Sequence, residues 1–232
     1  MKKGKLIVLD GTDGSGKRTQ LDLLKKHLKR GGFKVEEIDF PRYYSSFYGR
    51  LVGRYLAGEF GDTYETSPYL TSLPYAGDRL LAKNEIKKWL KEGKIVLTNR
   101  YVPANLAHQS AKLPKKERDK FIKWLLELEY EIHGLPKEDL VFYLYVPVEI
   151  AQKLLRKKGH RDYIGGFAKD IHEKNIKFLK ESENQYQKLA RRFGWQIITC
   201  CQNKKILPKK IIAQKIWQIV SEKFAIRKQR LG

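Results

Sequence analysis

The chain has 232 residues, 41% of them hydrophobic and 12% aromatic, which excludes an intrinsically disordered protein and permits a substantial buried core. Its apolar runs are no longer than strands, which excludes a membrane span, and its adjacent cysteines Cys200 and Cys201 exclude a disulfide framework, so we expect a cytoplasmic protein. The 48 lysine and arginine residues against 26 aspartate and glutamate residues give a formal net charge of +22, which favours anionic partners. Because the basic residues are spread over helix faces without a recognition motif, we expect these partners to be nucleotides rather than nucleic acids.

The first predicted strand, Lys5–Asp10, leads into a glycine-rich loop and then into a predicted helix, Thr19–Arg30. A strand, a glycine-rich loop and a helix in this order are the setting of a phosphate-binding loop. The backbone N–H groups of such a loop and the helix N-terminus attract an anion, and Lys17 adds a point charge for the outer phosphates. The sequence therefore predicts a site for a nucleoside triphosphate or a similar polyphosphate, the alternative being an ordinary glycine-rich turn.

The loop departs from the usual phosphate-binding pattern at its last position. In the pattern G-x-x-x-x-G-K-S/T, the final hydroxyl ligates Mg²⁺. This chain has Arg18 at that position, and Thr19 follows one residue late. The sequence therefore predicts an unusual metal shell.

Four more short apolar runs predict strands, and segments with a helical period separate them. The predicted strands are Val35–Phe40, Ile95–Asn99, Leu140–Val146 and Gln196–Cys200. The predicted helices are Phe47–Ala57, Pro68–Lys91, Lys115–His133, Val148–Lys157, Ala168–Phe193 and Pro208–Phe224. Nearly continuous apolar strands are typical of a parallel sheet buried on both faces. The alternation predicts a doubly wound α/β fold with a five-stranded parallel sheet, in a single domain of residues 1–232.

Five further motifs follow the loop in a characteristic order. They are Phe40-Pro41-Arg42, Ala76-Gly77-Asp78-Arg79, Asn99-Arg100-Tyr101, Leu144-Tyr145-Val146-Pro147 and the arginine-bearing stretch from Arg156 to Arg161. In type and order these motifs resemble those of the thymidylate kinase family of nucleoside-monophosphate kinases. The similarity runs from Lys5 to Trp195.

This resemblance implies transfer of the γ-phosphoryl group of ATP to dTMP, assisted by Mg²⁺, to give dTDP and ADP. It also implies a homodimer. The ATP phosphates are then expected on the loop, at Gly11, Asp13, Gly14, Ser15, Gly16, Lys17, Arg18 and Thr19. Asp10, at the end of the first strand, is a candidate metal ligand, either directly or through water.

The resemblance also assigns the arginines of the acceptor site. Arg79 and Arg100 match family positions that grip the acceptor phosphate, where an arginine fork holds a dianion in fixed geometry. Arg42 lies one residue earlier than the corresponding family arginine. For all three residues the alternative is an ordinary surface charge.

Residues for the base and the sugar follow from the same comparison. Tyr75 is expected to stack on the thymine ring, and Asn105 to pair with a pyrimidine edge, because an amide offers both a donor and an acceptor. Asp13 is expected to bind the sugar 3′-hydroxyl, and His108 to lie near the sugar. Gln109 is a further candidate for base recognition. Core packing is the alternative for Tyr75 and His108.

Members of this family place a catalytic arginine either in the phosphate loop or in the lid. Gly14 stands at the loop position, so we expect the lid, about residues 156–168, to supply it, first through Arg161 and next through Arg156. Such an arginine would neutralise charge on the transferring phosphoryl group, together with Lys17 and Arg100. The segment of about residues 204–232 is expected to form a basic C-terminal helix and tail.

Three positions depart from the family pattern. Arg18 replaces a serine or threonine, Asn99 an aspartate, and Tyr145 the aspartate of L-D-V-P. These departures leave two alternatives to an active enzyme for dTMP: a deoxynucleoside kinase with Asp10 as general base, and a catalytically impaired nucleotide-binding relative. We favour the active enzyme, with Mg²⁺ held largely by phosphates and waters, since the binding residues of both substrates remain.

Overall fold

The computed structural model describes residues 3–155 and 171–225 of the chain. A five-stranded parallel sheet forms its centre, with strand order β2-β3-β1-β4-β5. The strands are β1 (Lys5–Asp10), β2 (Val35–Asp39), β3 (Ile95–Asn99), β4 (Leu140–Tyr145) and β5 (Gln196–Thr199). The predicted sheet is confirmed, with β2, β4 and β5 each ending one residue earlier than expected.

Helices connect the strands and cover the sheet. Those before β4 are α1 (Lys17–Arg30), α2 (Phe47–Ala57), α3 (Pro68–Lys91), α4 (Val102–Ala111) and α5 (Lys115–Leu126), which continues into a π-helical turn (Glu127–Ile132). Those after it are α6 (Val148–Leu155), α7 (Ile171–Lys174), α8 (Ile176–Phe193) and α9 (Lys209–Lys223). Among the described residues, no helix has the length and apolar character that a membrane crossing requires.

The central strand shows why the sheet is covered on both sides. Successive side chains of a strand point to opposite faces. In β1, Leu6 and Val8 belong to one buried cluster, whereas Ile7 and Leu9 belong to another. Helices α3, α4, α5 and α8 contribute to the first cluster, and α1 and α9 to the second. Because both faces of β1 are buried, its sequence is continuously apolar and does not alternate with polar residues.

Four local features differ from the sequence prediction. Helix α4 was not predicted, because all ten of its residues are buried and a helix without an exposed face has no polar–apolar period. The predicted helix Lys115–His133 changes to π geometry at Glu127. The predicted helix Ala168–Phe193 is interrupted at Asn175, whose side chain accepts a hydrogen bond from the backbone N–H of Phe178 at 2.9 Å and caps α8. A short antiparallel pair, β6 (Cys201–Gln202) and β7 (Lys205–Ile206), was also missed.

Candidate active site

A cavity of about 360 Å³ opens at the carboxyl ends of β1, β2 and β3. This edge of an open α/β sheet is where such folds bind ligands. The predicted site residues that line the cavity are Asp13, Gly14, Gly16, Lys17, Arg18, Tyr75, Arg79, Arg100, Asn105, His108 and Gln109. Of the other predicted residues that the structure describes, Asp10, Gly11, Ser15, Thr19 and Arg42 lie outside the lining. Arg156 and Arg161 lie outside the described residues.

The loop between β1 and α1 wraps around the Lys17 side chain. Lys17 Nζ donates to the carbonyl oxygens of Gly11 and Thr12, each at 3.0 Å. Helix α1 begins at Lys17, so its first N–H groups and the positive end of its dipole lie beside the cavity. Thr19, the third residue of the helix, is exposed. The loop thus has the cation and the N–H donors of a polyphosphate cradle.

Gly14 leaves little room for a side chain in this loop. Its φ angle is +83°, and an added Cβ would lie 2.6 Å from the carbonyl oxygen of Ala151 in α6. The steric clash adds to the strain of a left-handed backbone. The packing around Gly14 therefore disfavours an arginine at this position, and the expected catalytic arginine of the lid stays a prediction.

Arg100 occupies the turn that follows β3. Its φ angle is +64°, a left-handed conformation that non-glycine residues rarely adopt outside functional or tightly constrained sites. Its Nη2 donates to Asp13 Oδ1 at 2.6 Å, and its Nη1 lies 3.0 Å from His108 Nε2. Burial, with Arg100 as a second cause, lowers the pKa of His108 to about 3. His108 is therefore neutral, and its Nε2 accepts from Arg100.

Arg79 has a partner that the sequence analysis did not predict. Its guanidinium pairs with the carboxylate of Glu129, with Nε 3.0 Å from Oε2 and Nη2 bonded to Oε1. Both side chains are almost fully buried, 2% and 0% exposed. Asn105 Nδ2 donates to the same Oε1 at 3.1 Å. Arg79 is therefore grouped with Asn105, the expected base-pairing residue. The Glu129 carboxylate neutralises the Arg79 charge that was expected to hold a phosphate.

Arg42 is bound to helix α3. Its Nε donates to Asp78 Oδ1 at 2.9 Å, its Nη2 to the Asp78 carbonyl at 2.8 Å, and its backbone N–H to Asp78 Oδ2 at 2.7 Å. These contacts fix the segment after β2 against α3. They give Arg42 a structural role, and its expected contact with substrate stays a prediction.

Asp10, the last residue of β1, connects the loop to helix α8. Its Oδ1 accepts hydrogen bonds from the Gly11 N–H at 2.7 Å and from Tyr186 of α8 at 2.6 Å. The residue is fully buried, and burial raises the pKa of its carboxyl group. Asp10 thus ties the start of the loop to α8. Its expected role as a metal ligand stays a prediction.

Arg18 reaches β2 instead of offering a metal ligand. Its Nη1 lies 2.5 Å from Glu37 and 3.1 Å from Asp39, and its Nη2 lies 2.8 Å from Asp22. Asp39 pairs in register with Asn99 of β3, and both residues line the cavity. The Asn99 amide oxygen is buried without a hydrogen-bond partner among the described residues. Oxygen groups therefore flank the loop on the side of Arg18.

The sequence analysis did not predict every residue of the site; among those it missed are two cavity residues with ionisable side chains, Asp39 and His172, and one supporting residue, Glu129. Glu129 had a detectable signal. It continues the buried face formed by Phe121 and Leu125 at a spacing of four residues, where a charged side chain requires a partner.

Comparisons with known proteins agree with this site. The sequence profile of the family described as "Thymidylate kinase" matches residues 9–211. The thymidylate kinase of Mycobacterium tuberculosis is 32% identical over 190 residues, covering 82% of this chain and 87% of the relative. The thymidylate kinase of Plasmodium falciparum is 32% identical over 194 residues, covering 84% of this chain and 81% of the relative.

A solved structure has the same fold. The thymidylate kinase of Candida albicans superposes with a TM-score of 0.75 at 22% sequence identity, covering 97% of this chain and 94% of its own. At this identity the likeness establishes the architecture, a five-stranded parallel sheet flanked by helices, as in P-loop nucleoside-monophosphate kinases.

Proposed function

This chain belongs to the thymidylate kinase family, and we propose that it transfers the γ-phosphoryl group of ATP to dTMP, giving ADP and dTDP. The observation that carries the proposal is the convergence of two sets of side chains on one cavity. The first set is Lys17 with the N–H groups of the loop, and the second is Arg100, Arg79 and Asn105; all four side chains line the cavity. The first set suits a polyphosphate donor and the second a nucleotide acceptor.

In this proposal the ATP phosphates lie over the loop, where Lys17 exchanges its two carbonyl contacts for phosphate oxygens. Among the described residues, no group of three His, Cys, Asp or Glu side chains could hold a metal ion by itself. This donor set fits Mg²⁺ held mainly by phosphates and waters, with Asp39 and Asn99 as the nearby protein oxygens. The ion would neutralise charge on the phosphates.

Arg100 is the proposed ligand of the acceptor phosphate. Its guanidinium lies in the cavity, fixed by Asp13 and His108. Arg79 is reassigned from the phosphate to the base, because Glu129 neutralises it and Asn105 is its neighbour. Tyr75 remains the proposed stacking partner of the base, and Asp13 of the sugar hydroxyl.

The chemistry requires no protein nucleophile. An oxygen of the dTMP phosphate attacks the γ-phosphorus of ATP in line with the leaving ADP oxygen, and the protein positions both groups and stabilises their charge. Lys17 and Arg100 act on the donor and acceptor sides. We assign the arginine that stabilises the transferring phosphoryl group to the lid, to Arg161 first and then Arg156. The glycine at position 14, whose close packing disfavours an arginine there, supports this assignment.

The direct test is ADP release from ATP and Mg²⁺ with each deoxynucleoside monophosphate, and with thymidine, in turn. The proposal requires turnover with dTMP above all others. Turnover with thymidine and none with dTMP would instead indicate a deoxynucleoside kinase. ATP binding without turnover, across several divalent metals, would indicate an impaired relative.

We further propose that the protein is a cytoplasmic homodimer. The Cys200 and Cys201 thiols are unpaired, which suits a reducing compartment. Helix α3 exposes an apolar stripe of Leu70, Leu73 and Leu81 beside α2, where Phe47 is also exposed. Exposed apolar stripes of this kind mark association surfaces, and a second copy with the same stripe would cover it.

A further inference from the structure

Glu129 lies on the π-helical turn that continues α5, and its side chain is fully buried. Turns of this type are frequent at functional sites. Both of its carboxylate oxygens accept hydrogen bonds from residues that line the cavity: Arg79 through Nε and Nη2, and Asn105 through Nδ2. One buried anion therefore holds two side chains of the site.

The partners of Asn105 fix which way its amide faces. Nδ2 donates to the Ser72 carbonyl at 3.2 Å and to Glu129 Oε1 at 3.1 Å. A carbonyl and an ionised carboxylate only accept, so the amide oxygen cannot occupy the place of Nδ2. That oxygen, Oδ1, is buried without a hydrogen-bond partner among the residues that the structure describes. Asn105 consequently offers the cavity an acceptor.

Arg79 provides the complementary group. A guanidinium can only donate, and Glu129 uses Nε and Nη2, which leaves Nη1 on a residue that lines the cavity. Glu129 thus holds a donor and an acceptor side by side. This arrangement matches a 4-oxopyrimidine, whose 4-carbonyl accepts and whose N3–H donates. A 4-aminopyrimidine presents the reverse pair, a donor at position 4 and an acceptor at N3.

Building on the proposed function of this site, we propose that Glu129 is the positioning residue that sets the preference for thymine over cytosine. It does not touch the base. It acts by fixing the orientation of the Asn105 amide and the direction of the Arg79 guanidinium. With cytosine, the 4-amino donor would face the Arg79 donor and the N3 acceptor would face the Asn105 acceptor. Neither pair can form a hydrogen bond, and a buried polar site discriminates strongly against a base that leaves its groups unpaired.

The test compares the binding of dTMP and dCMP by calorimetry, and their turnover, in wild type and Glu129→Gln. A glutamine can donate to Asn105 as well as accept from it, so only the Ser72 carbonyl still favours one orientation of the amide. We expect the ratio of kcat/KM for dTMP over dCMP to fall by about tenfold or more, with dTMP affinity falling and dCMP affinity unchanged or higher. ATP affinity should stay at its wild-type value, since Lys17 and the loop are untouched.

Glu138→Gln is the matched control. Glu138 is a second glutamate with a buried carboxylate oxygen, held by Tyr130 at 2.7 Å, and it lies outside the cavity lining. We expect this variant to keep the dTMP over dCMP ratio. In an Asn105→Ala background, Glu129→Gln should change the ratio less than it does in wild type, because one of the two residues through which it acts is gone.

A parallel loss of dTMP and dCMP activity in folded Glu129→Gln, with the ratio unchanged, would show a merely structural role and overturn the inference. If Glu129→Gln does not fold, Glu129→Asp, which keeps the charge on a shorter side chain, is expected to lower the ratio, and an unchanged ratio there has the same meaning. A wild-type protein that binds no pyrimidine monophosphate would instead overturn the proposed function, and the inference with it. A wild-type preference for dTMP that survives Glu129→Gln overturns the inference alone.

Discussion

At the scale of single residues, the arginines of this site form ion pairs with carboxylates. Arg100, Arg79 and Arg18 were all visible in the sequence, and each is bound to at least one carboxylate in the structure. The sequence predicted the arginines because their motifs are local. It did not predict Glu129, since its pairing with Arg79 joins positions 50 residues apart and depends on how α5 packs against α3.

Replacement of Arg100 by alanine tests the acceptor phosphate site. We expect kcat/KM for dTMP to fall by about 10²- to 10³-fold, because a preorganised cation at developing charge is lost. ATP affinity should change little. Arg30→Ala, at the exposed far end of α1, is the matched control and should behave as wild type. An Arg100→Ala enzyme with near wild-type kcat/KM would assign the phosphate to other residues.

Two buried groups predict how stability depends on pH. Burial raises the pKa of Glu138 from its ordinary value of 4.5 to about 7, so between these values the folded protein keeps a proton that the unfolded chain loses. Its contribution to stability is present below about pH 4.5 and is lost as the pH rises to about 7. Burial lowers the pKa of Lys112 from 10.5 to about 7, so its contribution instead grows with pH above about 7.

Urea unfolding of Glu138→Gln at a series of pH values measures the acidic limb. We expect the decline in the free energy of unfolding between about pH 4.5 and about pH 7 to be smaller than in wild type, because the titrating group is absent. Lys112→Met should in the same way flatten the rise above about pH 7. Curves parallel to wild type in both variants would show that these groups titrate alike in the folded and unfolded chains.

At the scale of elements, the loop between β1 and α1 is shaped by its neighbours as much as by its own sequence. Gly14 packs against Ala151 of α6, and Arg18 ties α1 to the end of β2. The strands were predicted to within a residue at each end, because two buried faces produce an unbroken apolar run. Helix α4 was missed for the same reason, since burial on all sides removes the period by which a helix is recognised.

Gly14→Ala tests the packing of the loop against α6. We expect lower thermal stability and a loss of ATP affinity of at least about tenfold, because the added Cβ must displace backbone in the loop. Gly32→Ala is the matched control. Gly32 has a φ angle of +79° and nothing within 4 Å of an added Cβ, so this variant shares the conformational strain without the clash. Equal effects in the two variants would mean that the contact with α6 is unimportant.

Arg18→Ser tests the connection between α1 and β2. The substitution adds the hydroxyl of the usual pattern and frees Asp39 and Glu37, so we expect half-maximal activation at a lower Mg²⁺ concentration. The loss of stability should be at most about 1 kcal/mol, because Arg18 is half exposed. Arg54→Ser, which breaks the exposed pair with Glu59, is the control. Unchanged Mg²⁺ activation would show that Arg18 does not shape the metal shell.

At the scale of the whole molecule, the catalytic cavity and the apolar stripe share the helix α3. Arg79 and Tyr75 line the cavity, and Leu70 and Leu81 are 67% and 57% exposed. One helix thus connects the acceptor site to the proposed dimer surface. This relation could not be predicted from the period of α3, because its apolar residues face both the core and solvent.

Light scattering of the Leu70→Glu, Leu81→Glu double variant tests the association. We expect a dimer in wild type and a monomer in the variant, since four charges would meet across the symmetric contact. Ile132→Glu is the control, because Ile132 is 69% exposed and lies on the π-helical turn. A wild-type monomer at all concentrations, or a dimer that survives the double variant, would remove α3 from the interface.

The contacts of Lys17 bear on how the nucleotide binds. Because the loop's own carbonyls hold this cation at two points, the Lys17 side chain is already ordered, and nucleotide binding replaces these contacts instead of ordering a free side chain. Calorimetry of triphosphate binding should therefore show the signature of a preformed site: a small heat-capacity change and little loss of conformational entropy in the loop backbone. Affinity for the donor is then governed by an exchange of oxygen ligands around one ammonium group.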